Sequence, residues 1–185
     1  MVERIIRIIK LDFSVFKEIE SDPNATTEAA IVVAGATLLS SLGSAFGAAR
    51  PGEGAVATFF SSLIGGLVGW VVWAAVTHYV GKTLYKSGGT FQSMLRVLGY
   101  ASAPQALGIL GFIPCFGALA ALAGAVLSLI AGVMAISEGL DVDTTQAIIV
   151  AVIGWVALFA VTTAIGLIFG GAALATVGLC AAISR

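Results

Sequence analysis

The side chains that could do chemistry in this chain are few and lie in apolar surroundings. Tyr100, Ser102, Pro104 and Gln105 fall within one hydrophobic stretch, with Arg96 at its start and His78 near the end of the stretch before it. Pro104 lacks an N–H, so in a helix it leaves the carbonyl of Tyr100, four residues earlier, without its partner, while Gln105 carries an amide to mid-stretch. Two arrangements satisfy these groups. One is a kinked helix bonded to its neighbours; the other is a small polar cavity shared with Ser and Thr side chains of other helices. His78, the only histidine, lies one turn before Lys82. An ionisable residue inside a membrane is a functional candidate, but His78, Lys82 and Arg96 sit near stretch ends, where long side chains reach the headgroups and anchor. No acidic residue falls near the centre of a stretch, which weighs against proton- or cation-coupled transport. No nucleophile motif, metal-ligand cluster or phosphate loop is legible. The expectation is a non-enzymatic protein without catalytic residues, cofactor or metal.

What must position these groups is a set of helices in lipid. The chain has 185 residues, 59% apolar and 10% charged, with a mean hydropathy of +1.07, outside the soluble range. About 20 residues cross the roughly 30 Å hydrocarbon core, and five apolar stretches of that length fill the sequence, at about 29–49, 58–80, 94–112, 115–136 and 145–169. The fold class is therefore all-α, a polytopic helix bundle in a single membrane domain over 1–185. The apolar tail at 172–185 is too short for a sixth crossing. Trp70, Trp73 and Tyr79 cluster toward the end of the second stretch, as rings at a membrane interface do. The turn at Arg50-Pro51-Gly52-Glu53-Gly54 and the break at Ile113-Pro114 separate stretches.

Ahead of the spans, residues 1–20 place Val2, Ile5, Ile6, Ile9, Phe13 and Phe16 on one helical face and Glu3, Arg7, Lys10, Ser14 and Lys17 on the other. This pattern predicts an amphipathic helix lying in the headgroup plane, its basic residues near anionic lipid. Asp22 is placed to cap the next helix, with Pro23 in its first turn. Small residues recur at helical spacing, as in Gly43/Gly47, Gly65/Gly69, Gly124/Ser128/Gly132 and Gly166/Gly170. They let helix backbones approach, which serves packing within the bundle and leaves a homo-oligomer open.

Lys and Arg in short loops favour the cytoplasm. With the N-terminus inside, Arg4, Arg7, Lys10, Lys17, Lys82, Lys86 and Arg96 are cytoplasmic, against Arg50 and Arg185 outside. An odd number of spans then puts the C-terminus outside. Cys115 and Cys180 read as free thiols, since no framework demands a bridge.

Asp22-Pro23-Asn24-Ala25-Thr26, the run Leu95-Arg96-Val97-Leu98-Gly99-Tyr100-Ala101-Ser102-Ala103-Pro104 and the later Ile113-Pro114 resemble the prokaryotic branch of the Yip family of five-span membrane proteins. The resemblance implies a scaffold that recruits partners or organises the bilayer. Eukaryotic members bind small GTPases through a long cytosolic N-terminal region, which is short here, and their Asp-Leu-Tyr-Gly-Pro motif is absent, so GTPase binding is not carried over. The expected partners are the bilayer, anionic headgroups and a membrane or cytosolic protein, not nucleic acid. Candidate contact residues are Arg7, Lys10, Lys17, Glu18, His78 and Arg96. The alternative is a small-solute or ion permeation protein using Tyr100, Ser102, Pro104 and Gln105.

Overall fold

A backbone in lipid has no water to bond, so its N–H and C=O groups must pair within each segment. The computed structural model follows that rule and is all-α over the residues it describes, 1–47, 55–113, 116–160 and 163. Helices α1 (Val2–Ile9) and α2 (Val15–Ser21) precede α3 (Ala25–Gly47), α4 (Ala55–Tyr85) and α5 (Phe91–Ala101). A 3-10 segment (Ala103–Phe112), α6 (Phe116–Leu140) and α7 (Thr144–Ala160) complete the described chain. Ala25–Gly43, Phe59–Tyr85 and Leu119–Leu140 are long and apolar enough to cross a membrane. Val56, Phe60, Ile64, Val68 and Val71 on α4 are exposed, a surface that suits lipid. The turn at Arg50–Gly54, Pro114, Cys115, Cys180, Gly166, Gly170 and the 172–185 tail lie outside the described residues.

Two segments differ from what periodicity predicts. Residues 1–20 do not form one helix. They make a hairpin, α1 and α2, reversed at Lys10–Ser14 with Leu11 in the left-handed region (φ 63). The reversal brings apolar residues of both arms onto one side, and Ile8, Val15, Phe16 and Ile19 are buried in protein, not lipid. Val2, Ile6 and Ile9 stay exposed. The third apolar stretch is likewise not one kinked helix. Pro104 cannot supply the N–H that would continue α5, so α5 ends at Ala101 and the chain tightens into the 3-10 segment with Pro104 in its first turn. At about 1.5 Å and 2.0 Å rise per residue, the two pieces together extend roughly 36 Å. So long a 3-10 run needs support, and its most extensive contacts are with α3 and α6 on either side. On the α3 side the backbones touch closely at Gly43, where a methyl group would overlap the Gly108 carbonyl.

The core sits at the hairpin end. Met94, Val97 and Tyr100 of α5 are fully buried with Phe16 and Ile19 of α2, Ile136 and Leu140 of α6 and Val150 of α7. α5 is thus the central post around which the others are arranged.

Candidate functional site

The start of α5 is fixed by a capping box: the Ser93 N–H donates to Thr90 Oγ1 (3.1 Å) and the Thr90 N–H to Ser93 Oγ (3.0 Å). This register sets Arg96 and Tyr100 one turn apart, facing α3 and the hairpin. Arg96 donates through Nε to Thr26 Oγ1 (2.6 Å) and through a terminal nitrogen to the Glu20 carbonyl (3.0 Å). The Tyr100 hydroxyl donates to the Glu28 carboxylate. Arg4 of α1 joins the same cluster, bridging Asp22 (2.8 Å) and Glu28 (3.1 Å) with two nitrogens of one guanidinium. The N-terminal ammonium lies 3.7 Å from Glu28. Together these bonds clasp the hairpin to the ends of α3 and α5.

Asp22 does not cap α3 directly. Its Oδ1 accepts the Asn24 N–H (2.9 Å), closing a turn after which α3 begins at Ala25, and its Oδ2 is left for Arg4. The Arg4 guanidinium and the Asn24 N–H hold the Asp22 carboxyl below its ordinary value. A second cluster fixes the hairpin turn: Arg7 reaches Asp12 (2.8 Å), Ser14 (3.1 Å) and Glu18 (2.9 Å). The Ser14 hydroxyl and Arg7 lower Asp12. Glu20 moves the other way, raised by burial and by Asp141 and Glu138 across the α2–α6 contact.

A cavity of about 570 Å³ is lined by α3, α4, α5, the 3-10 segment, α6 and α7. None of its lining side chains is charged; Ser102, Gln105 and Ser128 supply polar groups, and Trp70, Trp73 and Trp155 supply rings. The Ser102 hydroxyl donates to the Gly99 carbonyl (2.7 Å) and the Trp70 indole to the Leu95 carbonyl (3.2 Å). Ser128 Oγ is buried without a hydrogen-bond partner.

The four residues of the proposed polar intramembrane site are thereby separated. Ser102 and Gln105 line the cavity, Pro104 is buried at the start of the 3-10 segment, and Tyr100 belongs to the clasp. Among the surface candidates, Arg7 and Glu18 are paired with each other, Arg96 is committed to Thr26 and Glu20, and Lys10 and Lys17 are exposed. His78 Nδ1 is buried without a partner, its ring edge-on to Phe91 at 6.3 Å. Sequence reasoning passed over Arg4, Thr26 and Glu28 as site residues. Glu28 in the first turn of a span was the available signal, because a carboxylate there needs a partner.

The segments Asp22–Thr26 and Leu95–Pro104, far apart in sequence, meet through Arg96 and Thr26. The family model for the Yip1 domain matches residues 12–166. The chain belongs to the Yip family. With three helices long and apolar enough to cross a membrane among the described residues, it is a multi-pass integral membrane protein. Within the Yip1 domain lie the α2 arm of the hairpin, Asp22, Glu28, Tyr100 and every residue lining the cavity; Arg4 and Arg7 precede it. No curated protein and no solved structure matches the chain.

Proposed function

We propose that this Yip-family protein is a non-enzymatic membrane scaffold that presents a rigid face, built on the α1–α2 hairpin, to a protein partner and to anionic headgroups. The observation that carries this reading is the clasp: Arg4, Asp22, Glu28 and Tyr100 bind the hairpin to the bundle. A fixed platform loses little conformational entropy when a partner docks. Lys10 and Lys17 are exposed on it, as are the apolar Ile9 and Leu11, a mixture suited to a headgroup surface or a protein. The hairpin end packs against α5 and α6, so Lys17, Lys86 and Asp141 belong to one end of the bundle. In this reading that end is cytoplasmic, five spans cross the bilayer and the C-terminus is outside, in line with the seven-to-two distribution of Lys and Arg. A homo-oligomer is compatible with the exposed face of α4.

The test is affinity capture of the full chain in mild detergent, beside the double variant Lys10→Glu, Lys17→Glu. A specific partner held by the wild type and lost from a folded variant is the expected result; identical recovery with both rejects the hairpin as the docking face. Permeation is tested separately. Purified protein in liposomes should pass neither protons nor small ions above the empty-vesicle rate, and flux that falls on Gln105→Leu would replace the scaffold by a permeation pathway. The separation of Tyr100 from Ser102 and Gln105 supports the former.

A further inference from the structure

We propose that the intramembrane cavity is a lipid site: it takes one acyl chain of a glycerolipid from the bilayer leaflet on the hairpin side, with the ester carbonyl at Gln105 and Ser128. The cavity volume of about 570 Å³ lies within the roughly 300–1,000 Å³ of sites that enclose small molecules. Its lining is apolar apart from neutral groups, so it suits a hydrocarbon chain with one uncharged polar group rather than an ion.

The mouth opens sideways on apolar faces, which suit lipid rather than water. Ala125 and Leu129 of α6 and Trp155 of α7 line the cavity and are also exposed at the protein surface, placing a lateral window between these helices. Gly132 on the same face of α6 has nothing within 4 Å of where a Cβ would sit, so the window is left open rather than packed.

Depth selects the polar group. α6 runs antiparallel to α5 and the 3-10 segment, with Gly139 against Val97 and Gly124 against the Pro104 carbonyl, so Ser128 comes to the level of Ser102. Contacts of Gly99 with Ala29 and of Gly108 with Ser40 place Gln105 near the level of Ala36, roughly 12 Å below Glu28 at about 1.5 Å per residue. Ser128 lies a few ångström shallower. With Glu28 at the level of the headgroups and an interfacial layer about 5–7 Å thick on each side, Ser128 comes to the boundary of the hydrocarbon and Gln105 just inside it. The glycerol esters are the polar groups of a lipid nearest that depth. An ester carbonyl would accept from the Gln105 amide and from Ser128 Oγ, which has no partner within the protein.

The experiment uses the full-length protein in phosphatidylethanolamine–phosphatidylglycerol vesicles doped with a phosphatidylcholine carrying a diazirine on one acyl chain. After irradiation, labelled residues are mapped by peptide mass spectrometry. Labelling concentrated on Ala121, Ala125, Leu129 and Trp155 is expected, reduced about fivefold when the ether-linked analogue without carbonyls is used. Ala125→Leu, which fills the mouth, should abolish cavity labelling; Gln105→Leu, which leaves the space, should reproduce the fivefold loss while thermal unfolding in detergent confirms the fold. If Ala125→Leu does not fold, Gly132→Leu serves in its place. Labelling no stronger in the cavity than on Val68 of α4, or unaffected by filling the mouth, would show annular lipid only and overturn the site. Equal labelling by ester and ether lipids would overturn the assigned carbonyl contact.

Discussion

Arg4 is the residue on which the clasp turns, since its planar guanidinium bonds two carboxylates on different segments at once, 2.8 Å from Asp22 and 3.1 Å from Glu28. Solvent screens these bonds in part, but a compact ammonium cannot span the same fork. Arg4→Gln should therefore lower the melting temperature in mild detergent by about 2–4 °C, with Arg4→Lys between it and the wild type; an unchanged melting curve would show that the clasp does not stabilise the fold. Glu20 gives a prediction of opposite sign. Its folded pKa is raised above 4.5 by burial and by Asp141 and Glu138, so folding favours its neutral form. That contribution is fully present below pH 4.5 and is lost as pH rises through the folded value. Glu20→Gln should thus raise the melting temperature by about 1–2 °C at pH 7 and make no difference at pH 4. Asp12 and Asp22, held low by their partners, behave conversely. Their stabilisation is present above pH 3.8 and disappears as pH falls through the lowered folded values. Asp22→Asn should accordingly cost stability at pH 7, and the cost should shrink as pH falls below 3.8 toward the lowered folded value, read from the same melting curves.

Among the elements, the 3-10 segment is the one that depends most on its neighbours, because its hydrogen-bond geometry is poorer than that of an α-helix and its length unusual. α3 and α6 hold it by close backbone approach. Gly43 has no room for a side chain against the Gly108 carbonyl, and a Cβ at Gly124 would lie 2.7 Å from the Pro104 carbonyl. Gly43→Val should sharply reduce the yield of folded protein, by a mechanism of overpacking that costs about 1–3 kcal/mol or more. Gly132→Ala, pointing into open space, should melt within about 1 °C of the wild type. Size-exclusion recovery and thermal unfolding distinguish the two; equal behaviour would mean that α3 and the 3-10 segment are not packed as described. The hairpin shows a different logic. Turned back on itself, it covers the end of the bundle with Ile8, Val15, Phe16 and Ile19, so it serves as packing before it can serve as a membrane contact.

For the whole molecule, the arrangement joins a protein-like buried core at the hairpin end to helices whose outer faces suit lipid. Topology is the property that most directly tests how this body sits in the bilayer. In a background without the native cysteines, single cysteines replacing Ser87 and Gly52 should react with an impermeant maleimide from opposite sides of the membrane, Gly52 from outside intact cells. Equal labelling from outside would overturn the proposed orientation.

Composition and periodicity were enough to determine that the chain lives in lipid and that it is helical, because burying backbone in hydrocarbon leaves only self-satisfied segments and an apolar run of fixed length. Short motifs were enough to point to the Yip family, since Asp22–Thr26 and Leu95–Pro104 are contiguous in sequence. Pro104 announced a break in the hydrogen-bond ladder, read as a kink, and not that α5 would end at Ala101 with a 3-10 segment following. The pairing of Arg4 with Asp22 and Glu28, the fold-back of residues 1–21 and the division of Tyr100 from Gln105 were decided only in three dimensions. Helical periodicity says which residues share a face, but not whether lipid or another helix covers that face, as Phe16 shows. A cavity is likewise a property of helices that fail to close against one another, and Ser128 becomes part of one only because α6 runs antiparallel to the 3-10 segment.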